Sequence, residues 1–436
     1  MATPTPPRIK RVQRSALTIL VIAGTLNYID RATLSVANPL IRQDMGLSIA
    51  DMGYLLSAFL WAYAFFQLPG GALVDKVGPR RLLTVGLTIW SVAQGAAGFV
   101  GNFSQFVVAR IFLGAGEAPM FSSCVRVVRD WFAARQRGLG MGICNTTSSL
   151  GPAISPPILT FLMLSFGWHW MFGIMGIAGV VVAVILFCVY RDVRESQLTA
   201  EEQAFLTEGE EVAVEQTVTF KEWRTLFAFR TTWGLIIGFF GIVYVTWLFQ
   251  SWLPGYLEIQ RHMSIRATGL IASVPFIFGV IGSVGFGWVT DKLNAAGFSP
   301  VNSRKIPVIA GLFGMALFTY IAAEASSNFV AVAAISGAVF CNGGSSGQSW
   351  SMASVAAPAN CTASLGSIMN FGGYIGGALA PTITGIIVQE TGSFERALLV
   401  GAAMALMGAL SYIVIVRKEP IHASELTGLT PASVGH

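Results

Sequence analysis

Charge is what this sequence has little of. Only 11% of its 436 residues are Asp, Glu, Lys or Arg, whereas 54% are hydrophobic and the mean hydropathy is +0.65. Soluble domains carry about 25% charged residues, so this deficit excludes a soluble protein and reads as a polytopic membrane protein. Histidine is scarcer still: His169, His262, His422 and His436 lie at the ends of apolar runs or in the tail, which leaves a membrane enzyme without a mid-span base. The five cysteines, Cys124, Cys144, Cys188, Cys341 and Cys361, fall in or beside apolar runs with no paired spacing. That excludes a disulfide framework or a metal site and reads them as small packing residues. No GxxxxGK[ST] loop is present, so an intrinsic ATPase is excluded, and no cofactor is expected. The net charge of +5 is scattered between apolar runs and forms no single patch, which argues against a nucleic-acid partner. Residues Met1 to Arg14 are polar and basic but lead into a long apolar run without a small-residue cleavage pattern, so they are not read as a removable signal.

What is abundant is apolar length. Twelve runs, at about 15 to 40, 51 to 74, 82 to 101, 105 to 129, 138 to 165, 168 to 190, 231 to 257, 266 to 290, 306 to 325, 328 to 356, 361 to 389 and 394 to 416, are each long enough to cross a bilayer. The polar stretch Arg191 to Arg230 separates them into an N-terminal bundle (1 to 190), a linker (191 to 230) and a C-terminal bundle with a tail (231 to 436). Within the linker, Thr199 to Glu202 forms a capping-box pattern that predicts a short surface helix over Ala200 to Leu206. Nothing in the linker looks catalytic. Lys and Arg concentrate in the N-terminus, the even-to-odd loops, the linker and the C-terminus, with only Arg42, Arg261, Arg266 and Arg396 on the opposite side. The positive-inside rule therefore places both termini and the linker in the cytoplasm. The two halves repeat one another: Gly71 to Asp75-Lys76 returns as Gly287 to Asp291-Lys292, and Asn145, Gly151 and Pro156 return at one constant offset as Asn370, Gly376 and Pro381.

Against that apolar background, a few charges fall inside the runs. Asp30 and Arg31 stand together in Asn27-Tyr28-Ile29-Asp30-Arg31-Ala32-Thr33, and Arg110, Glu117 and Arg126 stand in the fourth run. A charge at mid-bilayer costs about 2.5–3.5 kcal/mol on insertion scales, so such residues normally face a polar cavity and mark a substrate or proton path. The guanidinium of Arg31, a planar fork that stays protonated, suits a substrate carboxylate. Glu117 follows Arg110 by seven residues and so shares its helix face, and a carboxylate in a poorly solvated cavity there suits a proton carrier. Asp30 could pair with Arg110 and leave Arg31 to the ligand. Tyr28 either donates to the same carboxylate or orients Arg31. Arg126 beside Arg129 either gates or reaches to the surface. The second half carries charge only near the ends of its runs and supplies neutral groups instead, with Gln250, Trp350 and Asn370 as substrate contacts; close helix packing is the alternative for Asn370.

These features together resemble the major facilitator superfamily over essentially the whole chain. The Asp75-Lys76-Val77-Gly78-Pro79-Arg80-Arg81 loop resembles the superfamily's signature between helices two and three, which implies a charge clasp using Asp75 and Arg80. The run Arg110 to Pro119 resembles its basic fourth-helix motif. More narrowly, Asn27 to Ser35, Met52-Gly53-Tyr54 with Ser57-Ala58-Phe59, Gln67 to Gly71, and Gly116 to Pro119 resemble the anion:cation symporter family and its bacterial sugar-acid permeases for galactonate, glucarate and hexuronates. The resemblance implies an all-α membrane fold of twelve transmembrane helices in two six-helix bundles related by a pseudo-twofold axis. It also implies substrate binding by Arg31 and proton coupling through Asp30 and Glu117. Where those permeases carry a glutamine in the fifth helix, this chain has Ser148, a shorter hydroxyl set to meet the substrate.

The expectation is a monomeric, multi-pass transporter of the bacterial inner membrane. It would import an organic anion with protons by alternating access, most simply an aldonate, aldarate or uronate. Permeation of an aromatic or small dicarboxylic acid, and proton-coupled export by the same fold, are the alternatives.

Overall fold

The first apolar run folds as α1 (Pro7–Val36), which opens on a proline whose missing N–H has no role in a first helical turn. In this computed structural model, which describes residues 4–208, 220–357, 361–417 and 419–421, the regular elements are helices throughout. They sort into two units, Met1–Ala213 with Met263–Ser273, and Val214–His262 with Val274–His436.

In the first unit, α2 (Asn38–Met45) ends at the left-handed Gly46, and α3 (Ile49–Val77) starts with a reciprocal capping box between Ser48 and Asp51. Gly78, at φ +92°, both closes α3 and opens α4 (Pro79–Ala97), a turn that a side chain there would strain. The fourth apolar run is split by Pro119 into α5 (Phe103–Glu117) and α6 (Met120–Trp131). The fifth is split at Thr146 into α7 (Ala134–Asn145) and α8 (Thr147–Val189); α8 also contains the sixth run and turns at Gly167, φ +81°. Small residues bring these helices close. At the α4–α5 crossing a Cβ on Gly116 would lie 2.8 Å from the Gly86 carbonyl oxygen, and on α8 Gly151 receives Tyr28 of α1.

The capping box predicted in the linker is present: Thr199 and Glu202 bond reciprocally at the start of α9 (Ala200–Leu206). Burial of Phe205 and ion pairs from Arg8 to Glu202 (3.2 Å) and Arg135 to Glu208 (3.1 Å) hold α9 on the first unit. After α10 (Phe220–Thr225), the second unit begins with α11 (Arg230–Gly255). The eighth run is interrupted: α12 (Ile265–Ile271) packs with α8 in the first unit, Gly269 against Thr160, while α13 (Val274–Ala295) belongs to the second. The second unit is completed by α14 (Asn302–Glu324), α15 (Asn328–Ala356), α16 (Thr362–Thr391) and α17 (Glu395–Val414). Buried Lys305 donates to the Val416 carbonyl at 2.7 Å, satisfying the backbone at the end of α17.

Nine helical stretches among the described residues are long and apolar enough to cross a membrane, and one of them, Ala134–Val189, holds two of the expected runs. Two of the twelve expected runs are not among them: the first, which carries the basic N-terminus and the Asn27 to Arg31 polar cluster, and the third, which folds as α4. Large apolar side chains such as Phe161, Val284 and Phe329 are well exposed, the pattern of a surface facing lipid.

Candidate functional site

Two adjacent residues of α1 reach different neighbours, because successive side chains on a helix diverge by about 100°. Arg31 turns toward α5, where its Nε donates to Glu117 Oε2 at 2.8 Å; the side chains are 8% and 0% exposed. The guanidinium carbon also lies 4.8 Å from the Tyr28 ring centre, 4.7 Å from that of Tyr63 and 5.2 Å from that of Phe59. A cation desolvated in this way is held by one carboxylate and by the negative faces of aromatic rings.

Asp30 is fully buried and forms no ion pair among the described residues. Glu117 and Arg110 act on it electrostatically, and the Trp90 indole lies alongside. The expected pairing of Asp30 with Arg110, with Arg31 left over, is therefore corrected. Arg110 directs its Nε to the Leu55 carbonyl at 3.4 Å and its guanidinium to the Phe59 ring at 5.0 Å, and Arg31 is the arginine that carries the ion pair. Buried polar atoms with few partners cluster here: Asp30 Oδ1 and Oδ2, with the Trp90 indole beside them, Glu117 Oε1, with the Asn27 amide beside that carboxylate, and Arg110 Nη1. Buried polar groups are normally paired, so this unused capacity marks a place where protons or a polar ligand are handled.

Ser148 lies one turn before Gly151, the residue packed on Tyr28, and so borders the same region. Its hydroxyl donates to the Asn145 carbonyl at 2.8 Å, leaving the oxygen to accept. Phe59, Tyr63, Trp90 and Asn27 were not singled out as site residues by the sequence reading. The i, i+4 spacing of Phe59 and Tyr63 on α3 would have signalled one shared face.

At the far end of α3, Asp75 and Arg80 of the signature loop take separate partners. Asp75 binds Arg126 at 2.7 Å, and Arg126 also holds Asp130 at 2.9 Å, so Arg126 is not merely reaching to the surface. Arg80 instead pairs with Glu195 at 2.7 Å and donates to the Phe187 carbonyl, while its backbone N–H is accepted by Asp192 at 3.1 Å. Asp192 thereby caps the first turn of α4 from the start of the linker. Its own carboxyl is pushed above the ordinary aspartate value by burial, against the Arg80 N–H bond, which acts the other way.

In the second unit, Trp350 packs edge-on to Phe239 at 5.9 Å and lies over Gly366, one turn before Asn370, so Trp350 and Asn370 share a neighbourhood. Gln250 is on α11 near the level where Trp252 donates to the Pro381 carbonyl, more than two helical turns from Asn370 along α16. Asn342 is saturated by Thr246, Ile242 and Met315 and serves packing.

This constellation can be set beside known proteins. The chain is 45% identical over 415 residues, 95% of its length and 91% of the relative's, to the probable L-galactonate transporter of Escherichia coli strain K12. It is 31% identical to the D-galactonate transporter of Escherichia coli O6:H1, covering 92% of this chain and 94% of that one. In three dimensions it resembles the crystal structure of a bacterial homologue of the human lysosomal transporter Spinster, with a TM-score of 0.77, 18% identity and coverage of 95% and 98% of the two chains. The sequence profile of the Major Facilitator Superfamily matches residues 20–381. An all-helical, multi-pass membrane protein with this profile and fold is a transporter, and the chain belongs to the Major Facilitator Superfamily.

Proposed function

We propose that the protein imports a sugar acid of the aldonate class together with protons, with both termini in the cytoplasm. The observation that carries this reading is the buried Arg31–Glu117 ion pair beside a buried Asp30 that forms no ion pair among the described residues. A substrate carboxylate and the Glu117 carboxylate are alternative partners for one guanidinium. Protonation of Glu117 removes its claim on Arg31, so a substrate anion then binds without leaving a second buried negative charge. Return of the empty protein restores the Arg31–Glu117 pair after the proton has left. Asp30, close enough to Glu117 and Arg110 to feel both charges, is the second proton site. Tyr28 and Ser148 border the acid in the first unit. Trp350 and Asn370 are the second unit's contacts for the neutral hydroxyl groups of the substrate, with Gln250, on α11 and more than two turns from Asn370 as measured along α16, outside that neighbourhood. That the two relatives are named as a probable L-galactonate transporter and a D-galactonate transporter favours a single carboxylate on a polyhydroxylated chain. The excess of Lys and Arg in the loops shared with the termini favours the stated orientation.

Uptake of labelled galactonate into proteoliposomes under an imposed pH gradient, acid outside, tests the reading. Accumulation is expected in the wild type. In Glu117→Gln it should be lost, while exchange of internal for external acid persists. Accumulation driven by the gradient in Glu117→Gln removes that residue from coupling. Absence of wild-type uptake across a panel of aldonates, aldarates, uronates and aromatic acids rejects the sugar-acid import reading itself.

A further inference from the structure

Two thiols in the first unit have no part in the reading above. Cys124, on α6, and Cys144, the penultimate residue of α7, are both buried, and their thiols are close enough to act on each other electrostatically. The helix packing gives the same placement independently. α6 and α7 form a hairpin through Phe132 and Ala133, and Gly140 lets α7 approach α6 so closely that a Cβ there would lie 3.1 Å from Val128. In an antiparallel pair, one turn back from Val128 is opposite one turn on from Gly140, and those positions are Cys124 and Cys144.

The pair adjoins the functional site. Ala118 and Pro119 keep near-helical backbone angles across the α5–α6 junction, so Arg110, Glu117 and Cys124, each seven residues apart, follow one face. Cys124 also interacts electrostatically with Tyr28, whose ring lies against Arg31. The helical interruption at Pro119 falls between Glu117 and Cys124, and the one at Thr146 falls between Cys144 and Ser148. The two thiols therefore stand beside the two helix interruptions that separate the α6–α7 hairpin from Glu117 and Ser148.

We propose that Cys124 and Cys144 form a redox-sensitive dithiol site, closed to a disulfide by small peroxides, and that closure slows transport by fastening α6 to α7 at these breaks. One sulfur attacks the peroxide, the O–O bond breaks, and a sulfenic acid and one water result. The second sulfur attacks the first, the S–O bond breaks, and the hydroxyl leaves with a proton as a second water. In sum, two thiols and one hydrogen peroxide give one disulfide and two waters, with two electrons passing from sulfur to oxygen. Hydrogen peroxide is small and uncharged enough to reach a buried pair that larger disulfides cannot approach.

Peroxide treatment of the protein in proteoliposomes, followed by peptide mass spectrometry without reduction, tests the proposal. Expected is a cross-linked peptide joining Cys124 and Cys144, lighter by two hydrogen atoms than its parts. Galactonate uptake should fall several-fold and recover with dithiothreitol, and it should resist peroxide in the Cys124→Ser/Cys144→Ser variant. Exposed Cys188 serves as the internal control. Oxidation at Cys188 with no Cys124–Cys144 linkage overturns the proposal. So does linkage with unchanged uptake, or an equal peroxide effect in the double variant. The linkage measurement is independent of which acid is carried, so a wild-type protein that takes up no galactonate fails the substrate reading while linkage still decides this one.

Discussion

Arg31 donates from Nε to Glu117 Oε2 across 2.8 Å, at a point where α1 and α5 leave neither side chain room to reach water. Breaking a buried pair of this kind by removing one partner costs about 3–5 kcal/mol, because the other charge remains buried. The pair is tolerable only if its two states, closed on itself or opened by a proton and an anion, are both compensated. That requirement ties the site's stability to its proposed work.

Arg31→Lys separates recognition from folding. The ammonium keeps the charge beside Glu117 but cannot present a planar fork or lie flat against Tyr28 and Tyr63. Loss of a charged, two-point hydrogen bond is worth about 1.5–3 kcal/mol, roughly a tenfold to hundredfold loss of affinity. Thermal-shift titration with galactonate should show the ligand-induced rise in Tm disappear, with the melting of the unliganded variant still cooperative. A variant that binds as tightly as the wild type takes the substrate carboxylate away from Arg31.

The clasp at Asp75 predicts an unequal pair of variants. Asp75 is largely exposed, and exposed ion pairs contribute about 0–1 kcal/mol. Asp75→Asn leaves Arg126 on Asp130, whereas Arg126→Gln frees two acids at once. Uptake rate should therefore be perturbed more by Arg126→Gln than by Asp75→Asn, with little change in Tm for the latter. Equal losses would show that Asp130 carries none of the clasp.

How far the sequence could foresee these details depended on their range. The Thr199–Glu202 cap was legible because both partners lie within one turn, and the charged positions on the first and fourth runs were legible because charge is conspicuous in apolar sequence. Which arginine meets which acid was not, since the choice between Arg31–Glu117 and Asp30–Arg110 rests on the rotation of α1 about its axis, and neighbouring residues carry the same signal for either. The partners of Arg80 were hidden at the start of the linker, before its one legible cap, because Asp192 and Glu195 acquire their role only by folding back onto α4. Cys124 and Cys144 showed no pairing in their spacing for a similar reason: an antiparallel hairpin brings together residues at any separation.

Helix contact at Gly116 predicts that function will be lost through packing alone. A methyl group there would meet the backbone of Trp90 and Gly86 at 2.7 and 2.8 Å, and backbone cannot move aside as a side chain can. Overpacking of this kind costs about 1–3 kcal/mol and would displace Glu117, the next residue, from Arg31. Gly116→Ala should lower both Tm and uptake. Gly142→Ala, where nothing lies within 4 Å, should leave both nearly unchanged. Similar losses from the two substitutions would mean that glycine matters here for flexibility and not for contact.

The Asp192 cap gives a pH dependence with a definite sign. Burial raises its carboxyl above the ordinary aspartate value of 3.8, with a further push from Glu195 and Asp130. A group whose proton is held more tightly in the folded protein stabilises the fold fully below the unfolded value, and that contribution is lost as pH rises through the folded one. Asp192→Asn mimics the protonated carboxyl, keeps an oxygen for the Arg80 N–H and does not titrate. Tm measured from acid pH to neutrality should therefore fall in the wild type relative to Asp192→Asn as pH rises from near 3.8 upward, and the two should converge at the acid end. A constant difference across that range would mean that Asp192 is as acidic in the folded chain as in the unfolded one, so that neither its neutral nor its ionised form is the better cap for α4.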